Sequence, residues 1–439
     1  MKLTGTRTAV LGLGTSGAAA AEFLQRRGAR VTLLESFRSA ATESKAKELE
    51  RIGIIVLFGA EAEDIRADFD LYVLSPGIDP AVHLVQNLAK QGATFLGELE
   101  LGYRFCSKPI IAITGTNGKT TTTQMIEQML QTAGKRTVAC GNIGLPFCAA
   151  VEKQSEFDYL TVEVSSFQLE TIEQFRPLVS VWLNFTPDHL DRYRDLEEYR
   201  TAKLRIFEQQ ESSDWAVVNA KESLPPLEAR RLTFSAYSKD ADCTWDGQQI
   251  YYRGRRLLDM TETQVSGPHN AENLMAAIGV AAVLGLDWEA AIRGLRDFRL
   301  AAHRCELVRE FAGVRYINDS KATNPDALAK ALEAQVGQVV LIAGGKYKGF
   351  DFQALRPLVA QKVKAAVLIG ETTAQMNTDW AGVTHCIAAP DLTNAVQSAR
   401  HSAVPGDVVL LSPGTSSFDM FKNYADRGNQ FRQLVQELT

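Results

Sequence analysis

Short apolar runs alternate with helical stretches along the first hundred residues. Residues 6–11, 30–35 and 71–74 are apolar and rich in β-forming side chains, and residues 15–27 carry apolar positions at helical spacing. Strands that alternate with amphipathic helices are typical of a doubly wound α/β sheet. We therefore expect residues 1–96 to form a Rossmann-like domain.

The same alternation continues through two further stretches of the chain. In residues 97–300 it predicts strands at 109–113, 159–163 and 179–183, helices at 195–210 and 270–284, and a hairpin over 240–256 around Asp246-Gly247. In residues 301–439 it predicts strands at 339–343, 363–369 and 408–411 and a last helix at 421–438. Because 439 residues suffice for several domains, we expect three α/β domains, 1–96, 97–300 and 301–439.

Composition and charge exclude several classes of protein. A hydrophobic content of 45%, a charged content of 23% and a net charge of −5 are those of a soluble globular protein and argue against a general nucleic-acid binder. The six cysteines include no C-x-x-C pair, which argues against a zinc site and a disulfide framework. No run approaches the ~20 apolar residues of a membrane span, and glycines interrupt the apolar start of the chain. We expect a monomeric cytoplasmic protein that acts on small molecules, with no membrane insertion and no nucleic-acid partner.

Residues 114–121, with the sequence TGTNGKTT, carry the strongest chemical signal. They follow the strand predicted at 109–113 and precede a helical stretch. Glycines let backbone N–H groups approach phosphate oxygens, a following lysine reaches the β- and γ-phosphates, and a threonine hydroxyl can bind Mg²⁺. Ile113 occupies the position of the first glycine in the common phosphate loop, so the loop is a shortened variant. An ATP site is favoured over a turn that only caps a helix, with the candidate residues Gly115, Thr116, Asn117, Gly118, Lys119, Thr120 and Thr121.

A second glycine-rich motif, GLGTSG at residues 12–17, lies between the first predicted strand and helix. Glu35 ends the next predicted strand. This pattern fits a dinucleotide site in which the acid holds a ribose. The same geometry fits another nucleotide with a pyrophosphate, including a nucleotide-sugar, or a tight turn with a purely structural role.

Acidic and imidazole groups follow two predicted strands in the middle of the chain. Glu163 ends an apolar strand, and a carboxylate beside a phosphate loop is well placed to bind Mg²⁺. Asp188, His189 and Asp191 lie close together, and His189 could bind a second metal or cap a helix. By its spacing alone, Lys203 is an exposed lysine on a helix.

Polar loops and a pair of amides mark the rest of the chain. Asn270 and Asn273 share one helix face and could contact a purine or cap the helix. Three loops rich in small, basic or hydroxyl side chains occupy residues 318–325, 344–349 and 412–417. Since ligands of open α/β sheets collect outside the carboxyl ends of strands, we expect these loops to form a site for an anionic ligand.

Together these motifs resemble the Mur ligase family, the ATP-dependent amide-bond ligases of peptidoglycan precursor synthesis. The matching segments are GTNGKTT, the Glu163 strand, NFTPDHLDRY, YRTAKLRIF, GPHNAEN, NDSKATN, GGKYKGFDF and SPGTSSFDMFKNYADRGNQF. EVSSFQLE and the closing segment most resemble the members that add D-glutamate to UDP-N-acetylmuramoyl-L-alanine, and the D-N-P-x-x-R signature of the diaminopimelate-adding members is absent.

The resemblance implies an N-terminal Rossmann-like domain for the UDP-sugar, a central P-loop ATPase-type mononucleotide-binding domain and a C-terminal Rossmann-like domain for the amino acid. It also implies a two-step reaction. The substrate carboxylate attacks the γ-phosphate of ATP to give an acyl phosphate, and the amine of D-glutamate then displaces the phosphate. Catalysis of this kind consists mainly of positioning and charge stabilisation.

The resemblance further implies roles for individual residues. The UDP-sugar would contact Gly14, Thr15, Ser16, Glu35, Ser36, Ser75, Gly77 and Asn142. ATP would contact the phosphate loop together with Asn270, Asn273, Arg304 and Asp319. D-glutamate would contact Lys321, Thr323, Lys348, Ser417 and Tyr424. Two Mg²⁺ ions, for which Mn²⁺ is an alternative, would be held by Thr120, Glu163, His189 and a carbamylated Lys203, and Lys119, Glu163, His189 and Lys203 would form the catalytic set.

Three alternatives remain open at this point. The GLGTSG motif alone would suit an NAD-dependent oxidoreductase. The phosphate loop alone would suit a nucleotide switch or a non-catalytic scaffold. A related amide ligase with another amino acid or another acceptor would share most of the motifs.

Overall fold

The computed structural model of the protein describes residues 1–190, 192–299 and 302–438. Contacts divide the chain into two compact units, one of Met1–Phe185, Asp195–Leu258 and Glu272–Arg296, the other of Thr186–Arg194, Asp259–Ala271 and Asp297–Thr439. Asp191 and the predicted boundary at 300/301 lie outside the described residues. The bounds of the three predicted domains, 1–96, 97–300 and 301–439, stay predictions.

The first sheet is built from parallel strands. Its elements are β1 (Arg7–Leu11), α1 (Thr15–Arg26), β2 (Arg30–Glu35), α2 (Ala40–Glu50), β3 (Ile55–Phe58), α3 (Ala60–Glu63), β4 (Leu71–Leu74), α4 (His83–Lys90), β5 (Phe95–Gly97) and α5 (Glu98–Tyr103). The strand order is β3-β2-β1-β4-β5. The predicted Rossmann-like pattern is confirmed, and the GLGTSG turn after β1 lies where the strand order reverses, the usual ligand position in such sheets.

The second sheet carries the phosphate loop. Its elements are β6 (Ile110–Thr114), α6 (Lys119–Thr132), β7 (Thr137–Gly141), α7 (Phe147–Glu152), β8 (Tyr159–Glu163), α8 (Ser166–Leu169), β9 (Val179–Trp182), α9 (Leu196–Leu204), β10 (Trp215–Asn219), β11 (Arg230–Ser235), β12 (Cys243–Trp245), β13 (Gln249–Tyr252), β14 (Arg255–Asp259), α10 (Pro268–Leu284) and α11 (Trp288–Arg296). The order is β14-β13-β12-β11-β10-β9-β6-β8-β7, so β6 lies between β8 and β9. The predicted hairpin is the antiparallel pair β12–β13.

The third sheet belongs to the second compact unit. Its elements are β15 (Glu306–Phe311), β16 (Val314–Asn318), α12 (Pro325–Glu333), β17 (Val339–Gly344), α13 (Arg356–Lys362), β18 (Val363–Ile369), α14 (Thr373–Asp379), β19 (His385–Ala388), α15 (Leu392–Ser402), β20 (Val408–Leu411) and α16 (Tyr424–Gln436). The order is β15-β16-β20-β17-β18-β19, with β15 antiparallel at one edge. The three loops expected to bind an anion therefore follow the neighbouring strands β16, β20 and β17.

Local sequence explains where several helices begin and end. The last helix was predicted from residue 421 but begins at Tyr424, because the Asn423 side chain accepts the Asp426 N–H and caps it there. The helix after the phosphate loop begins at Lys119. Among the described residues, no helix is both long and apolar enough to span a membrane.

Candidate functional site

Two lysine ammonium groups converge on the phosphate loop between β6 and α6. Lys119 Nζ donates to the carbonyls of Gly115 and Thr116 at 3.0 and 2.9 Å. Lys203 Nζ donates to the same Gly115 carbonyl at 3.0 Å. The loop therefore holds two positive charges beside the helix N-terminus, an arrangement suited to polyphosphate.

The expectation that Lys203 is exposed was wrong. The residue is 1% exposed, and its ammonium lies 4.8 Å from the centre of the Tyr199 ring. Helix α9 turns Tyr199, Ala202 and Lys203 to its buried side, so the lysine shares a face with an aromatic side chain four residues earlier. Sequence spacing did not reveal this because α9 is short and mostly polar.

Asn184, two residues after β9, is a functional candidate that the sequence reasoning missed. Its side chain accepts the Asn117 N–H at 2.9 Å and donates to the Asn117 carbonyl at 3.0 Å. Its backbone carbonyl accepts the Thr116 N–H at 2.9 Å. The signal available in the sequence was an asparagine directly after the strand predicted at 179–183. The structure adds that β9 pairs directly with β6 and that Asn184 is buried.

Glu163 ends β8, directly beside the strand that leads into the phosphate loop. It is 2% exposed, and its Oε1 accepts the Asn142 side-chain amide at 2.7 Å. Its Oε2 is buried and has no hydrogen-bond partner among the described residues. A buried carboxylate oxygen without a donor is costly unless a cation binds it, so this atom fits a Mg²⁺ ligand.

His189 lies in the second compact unit with the residues that contact it. Its backbone adopts a φ of 56°, and its N–H donates to Asp188 Oδ1 at 2.9 Å. Asp188 Oδ2 accepts the Asn324 side-chain amide at 3.0 Å. The Asp188 carboxylate is thereby committed to local structure, and its Oδ2 also lies 3.8 Å from Nε2 of the His189 ring.

The two asparagines of GPHNAEN make separate contacts. Asn273 Oδ1 accepts a hydrogen bond from the Thr122 hydroxyl at 3.1 Å. Thr122 lies in α6, the helix that follows the phosphate loop. Asn270 donates to the Ser266 carbonyl at 2.9 Å and lies 3.1 Å from His269 Nε2. Both side chains have structural partners, and their predicted contacts with adenine stay predictions.

The glycine turn after β1 is held by side chains from two neighbouring strands. Glu35 accepts the N–H groups of Leu13 and Phe37 at 2.8 and 3.0 Å. Ser75 Oγ donates to the Gly12 carbonyl at 3.2 Å. A Cβ on Gly17 would lie 1.9 Å from that carbonyl, so only glycine fits there.

The remaining residues predicted to contact the UDP-sugar surround the N-terminus of α1 or follow other strands. Gly14 is the N-cap, and no side chain caps the helix. Gly14 and Thr15 are exposed, and Ser16 and Ser36 are half-buried. Gly77 is exposed beyond β4, and Asn142 is exposed beyond β7. The open end of α1 leaves its backbone N–H groups available to an anion.

Asp319, just beyond β16, is buried within the second unit. Its oxygens accept the Cys305 N–H at 3.1 Å and the Ser412 hydroxyl at 2.9 Å. Burial raises the pKa of Asp319 to about 6, and these hydrogen bonds oppose the shift. Two residues come directly before Cys305. His303 is buried and contacts Asn318, and Arg304 is half-buried.

The residues predicted to contact the amino-acid substrate lie on the loops beyond β16, β17 and β20, except Tyr424, which begins α16. Lys321 Nζ lies 3.9 Å from the centre of the Tyr424 ring, and Lys348 Nζ lies 5.9 Å from that of Phe350. Ser417 is buried and Thr323 half-buried. Two ammonium groups and two hydroxyls on neighbouring loops are suited to an anionic ligand.

Arg427, which sequence reasoning did not single out, joins two of these loops. It is fully buried on α16; its guanidinium donates to Ser320 Oγ at 2.9 Å and to the carbonyls of Ser320 and Thr415 at 2.9 and 3.3 Å. Burial lowers its pKa to about 10. Since burial of a charge requires dedicated partners, its function is to hold the loops beyond β16 and β20 together.

Three family models match nearly the whole chain. They are the Mur ligase MurD-like N-terminal domain at residues 6–97, the Mur ligase middle domain at residues 113–281 and the Mur ligase glutamate ligase domain at residues 303–414. The chain belongs to the Mur ligase family. This Mur ligase is therefore a three-domain, ATP-dependent enzyme that forms amide bonds.

Curated relatives match this Mur ligase over its full length. A protein of Geobacter metallireducens is 40% identical, with coverage of 100% of this chain and 99% of the relative. A protein of Acidobacterium capsulatum is 41% identical, with coverage of 99% and 97%. Both are named UDP-N-acetylmuramoylalanine--D-glutamate ligase.

Solved structures share the fold at low sequence identity. The UDP-N-acetylmuramate-alanine ligase MurC of Thermotoga maritima is 19% identical with a TM-score of 0.64, and coverage is 98% of this chain and 99% of that one. The MurF ligase of Thermotoga maritima, solved in complex with ADP, is 16% identical with a TM-score of 0.62 and coverage of 98% of both chains. These likenesses show the fold alone.

Proposed function

We propose that this Mur ligase joins D-glutamate to UDP-N-acetylmuramoyl-L-alanine in peptidoglycan precursor synthesis, driven by ATP. The observation that carries the choice of substrates is the full-length identity of about 40% to relatives with that activity in their names. The phosphate loop, with Lys119 at the start of α6, supports the use of ATP.

The reaction proceeds in two steps. A carboxylate oxygen of the nucleotide-sugar attacks the γ-phosphorus of ATP, ADP leaves, and an acyl phosphate forms. The neutral amine of D-glutamate attacks the acyl carbon, and the tetrahedral intermediate expels inorganic phosphate. Phosphorylation is needed because a carboxylate oxygen is a very poor leaving group.

Positioning and charge stabilisation by the phosphate loop support the first step. Lys119 and Lys203 donate to loop carbonyls in this structure, and Lys119 can turn its ammonium from them to the β- and γ-phosphates. The N–H groups at the start of α6 supply further donors. Asn184 keeps the loop in shape while this exchange takes place.

The residues near Glu163 fit a divalent cation. Glu163 Oε2 is the unpartnered oxygen, and the Thr120 hydroxyl follows the loop lysine as in other phosphate loops. Mg²⁺, or Mn²⁺ in its place, supplies positive charge that neutralises the phosphates when it is bound. We assign a second ion of the same kind to His189.

We also propose that Lys203 is carbamylated. The ammonium first loses one proton. Carbon dioxide then adds to the neutral amine, a C–N bond forms and a second proton leaves, so a carbamate anion replaces the cation. The carbamate nitrogen retains one N–H, enough to keep the bond to the Gly115 carbonyl. The new carboxylate would complement a metal-rich site.

The remaining proposed contacts are those with the UDP-sugar, ATP and D-glutamate. The open end of α1 would hold the diphosphate, with Thr15, Ser16, Ser36, Ser75, Gly77 and Asn142 around the UDP-sugar. Arg304 would contact the phosphates of ATP, Asp319 its ribose, and Asn270 and Asn273 its adenine. Lys321, Thr323, Lys348, Ser417 and Tyr424 would surround D-glutamate. We propose a monomeric cytoplasmic enzyme with domains at 1–96, 97–300 and 301–439.

Phosphate release across a panel of amino acids tests the assignment. With ATP, Mg²⁺ and UDP-N-acetylmuramoyl-L-alanine present, we expect release with D-glutamate and none with L-glutamate, L-alanine or diaminopimelate. Release with another amino acid but not with D-glutamate would overturn the substrate assignment. Turnover that needs no amino acid would indicate a nucleotide switch, and saturable NADH fluorescence at micromolar concentrations would indicate the oxidoreductase alternative.

A further inference from the structure

A pair of carboxylates connects three loops at the carboxyl ends of strands in the third sheet. Strands β20, β17 and β18 are consecutive in the sheet, so the loops beyond them are neighbours. Asp419 lies in the loop beyond β20, between Ser417 and Tyr424, and Glu371 lies in the loop beyond β18. Neither residue was among the candidates that the sequence singled out.

Asp419 contacts the loop beyond β18 through a close backbone approach. Its Oδ2 accepts the Glu371 N–H at 3.1 Å. Gly370 makes this possible, because a Cβ there would lie 2.3 Å from Asp419 Oδ2 and 2.8 Å from the Cα of Gly345. Gly370 also has a φ of 74°, which disfavours other residues. The carboxylate, Gly370 and Gly345 thus meet at one point.

Glu371 continues the connection to the loop beyond β17. Its Oε2 accepts the N–H of Tyr347 at 3.2 Å. Tyr347 lies between Lys346, whose N–H donates to the Ser416 carbonyl at 2.9 Å, and Lys348. Hydrogen bonds therefore connect Asp419, through Glu371, to the backbone of Tyr347, which precedes Lys348. A further hydrogen bond connects Lys346 to Ser416, which precedes Ser417.

A buried cation balances the charge of Asp419. The Asp419 carboxylate raises the pKa of Arg427 and so opposes the larger lowering caused by burial. Arg427 joins the loops beyond β16 and β20, while Asp419 and Glu371 join those beyond β20, β18 and β17. Asp419 Oδ1 is buried and has no hydrogen-bond partner among the described residues, which lowers the stability of the folded state. This cost indicates that Asp419 has a role other than stabilising the fold.

We propose that Asp419 and Glu371 are positioning residues that fix Lys348 relative to Ser417 and thereby set the affinity for the amino-acid substrate. This inference rests on the proposed function, in which Lys348 and Ser417 contact that substrate. Neither carboxylate touches the substrate itself. A dianionic amino acid would be repelled by them unless Arg427 and the lysines outweigh their charge.

The test compares KM for the amino acid with KM for ATP in variants of the full-length enzyme. Asp419→Ala should raise the amino-acid KM about tenfold, the equivalent of one lost hydrogen bond to a charged group, and leave the ATP KM within about twofold. Asp419→Asn keeps an oxygen acceptor and should stay within about threefold of wild type. Glu371→Ala should raise the same KM about threefold because its hydrogen bond is exposed, and Glu371→Gln should restore it.

Glu333→Ala is the matched control, since Glu333 is an exposed acid on α12 of the same sheet. Circular dichroism and thermal unfolding establish that each variant is folded. Equal rises in both KM values, or an Asp419→Ala enzyme with an unchanged amino-acid KM, would overturn the proposal. The assay uses whichever amino acid supports turnover, so failure of the D-glutamate assignment would leave this test intact.

Discussion

Two glycine-rich turns of the first compact unit both connect a parallel strand to the helix that follows it, yet they are stabilised in different ways. The turn after β1 is packed by its own glycines, and the side chains of Glu35 and Ser75 bond its backbone. The loop after β6 is held from outside by Asn184, and two lysines occupy its carbonyls. One turn is fixed before any ligand arrives, whereas the other has contacts that a ligand can replace.

The difference matches what each site is proposed to do. A diphosphate that is only bound needs a rigid backbone and an open helix end, and the exposed Gly14 at the N-cap of α1 provides that end. A phosphate that is transferred needs a charge that follows it, and Lys119 on its flexible stem supplies one. Glu35, at the end of β2, clamps the backbone of Leu13 and Phe37, and its contact with the UDP-sugar stays a proposal.

The largest expected effect is loss of the second lysine of the phosphate loop. Lys203→Ala should lower kcat by roughly a hundredfold or more, because it removes a charged group beside the reacting phosphate. Phosphate release measures the effect, and bicarbonate should restore part of the activity if the lysine acts as a carbamate. Lys239→Ala, at an exposed site, is the control. Full activity in the Lys203→Ala enzyme would contradict the role assigned to it.

A pair of variants tests whether the two turns act independently. Asn184→Ala removes two hydrogen bonds to the Asn117 backbone, so we expect the KM for ATP to rise about tenfold. Ser75→Ala removes one hydrogen bond from the other turn and should raise only the KM for the nucleotide-sugar, by about threefold. Steady-state kinetics with each substrate varied in turn measures both. If either variant shifts both constants alike, the two turns are not independent.

The smallest effect on turnover is expected at Glu98, which begins α5 and whose titration changes the stability of the folded state. It is 1% exposed, its Oε1 accepts the Cys148 N–H at 2.6 Å, and its Oε2 has no partner among the described residues. Burial raises the pKa of Glu98 from 4.5 to about 7. The folded state therefore retains a proton that the unfolded state releases above pH 4.5, and stability falls as pH rises from about 4.5 to 7.

Urea unfolding between pH 4.5 and 8 measures this effect. In the wild-type protein, the free energy of unfolding should fall by roughly 3 kcal/mol over this pH window because of Glu98. Glu98→Gln should abolish this fall, so the variant gains stability relative to wild type toward pH 8. Glu333→Gln, at an exposed site, should leave the slope unchanged. Parallel curves for the Glu98→Gln and wild-type proteins would show that Glu98 does not carry the proton.

The sequence predicted the parts of the fold that depend on local pattern. Strands β2, β4, β8, β18 and β20 occupy the predicted residues because each is a short apolar run between turn residues. Edge strands such as β15 were missed, since one exposed side removes the apolar run. The burial of Lys203 and the clamps formed by Glu35, Asn184 and Arg427 depend on contacts between distant segments, which periodicity does not encode.

The unpartnered oxygen of Glu163 has a consequence for attempts to make this enzyme more robust. A side chain that is buried with an unused hydrogen-bond acceptor lowers the stability of the folded state, and an apolar group of similar size would remove both the unused acceptor and the buried charge. A library selected only for survival of heating would therefore enrich replacements at this position. Such a selection has to include turnover at every round, because the variants that withstand heat best would be among those that no longer react.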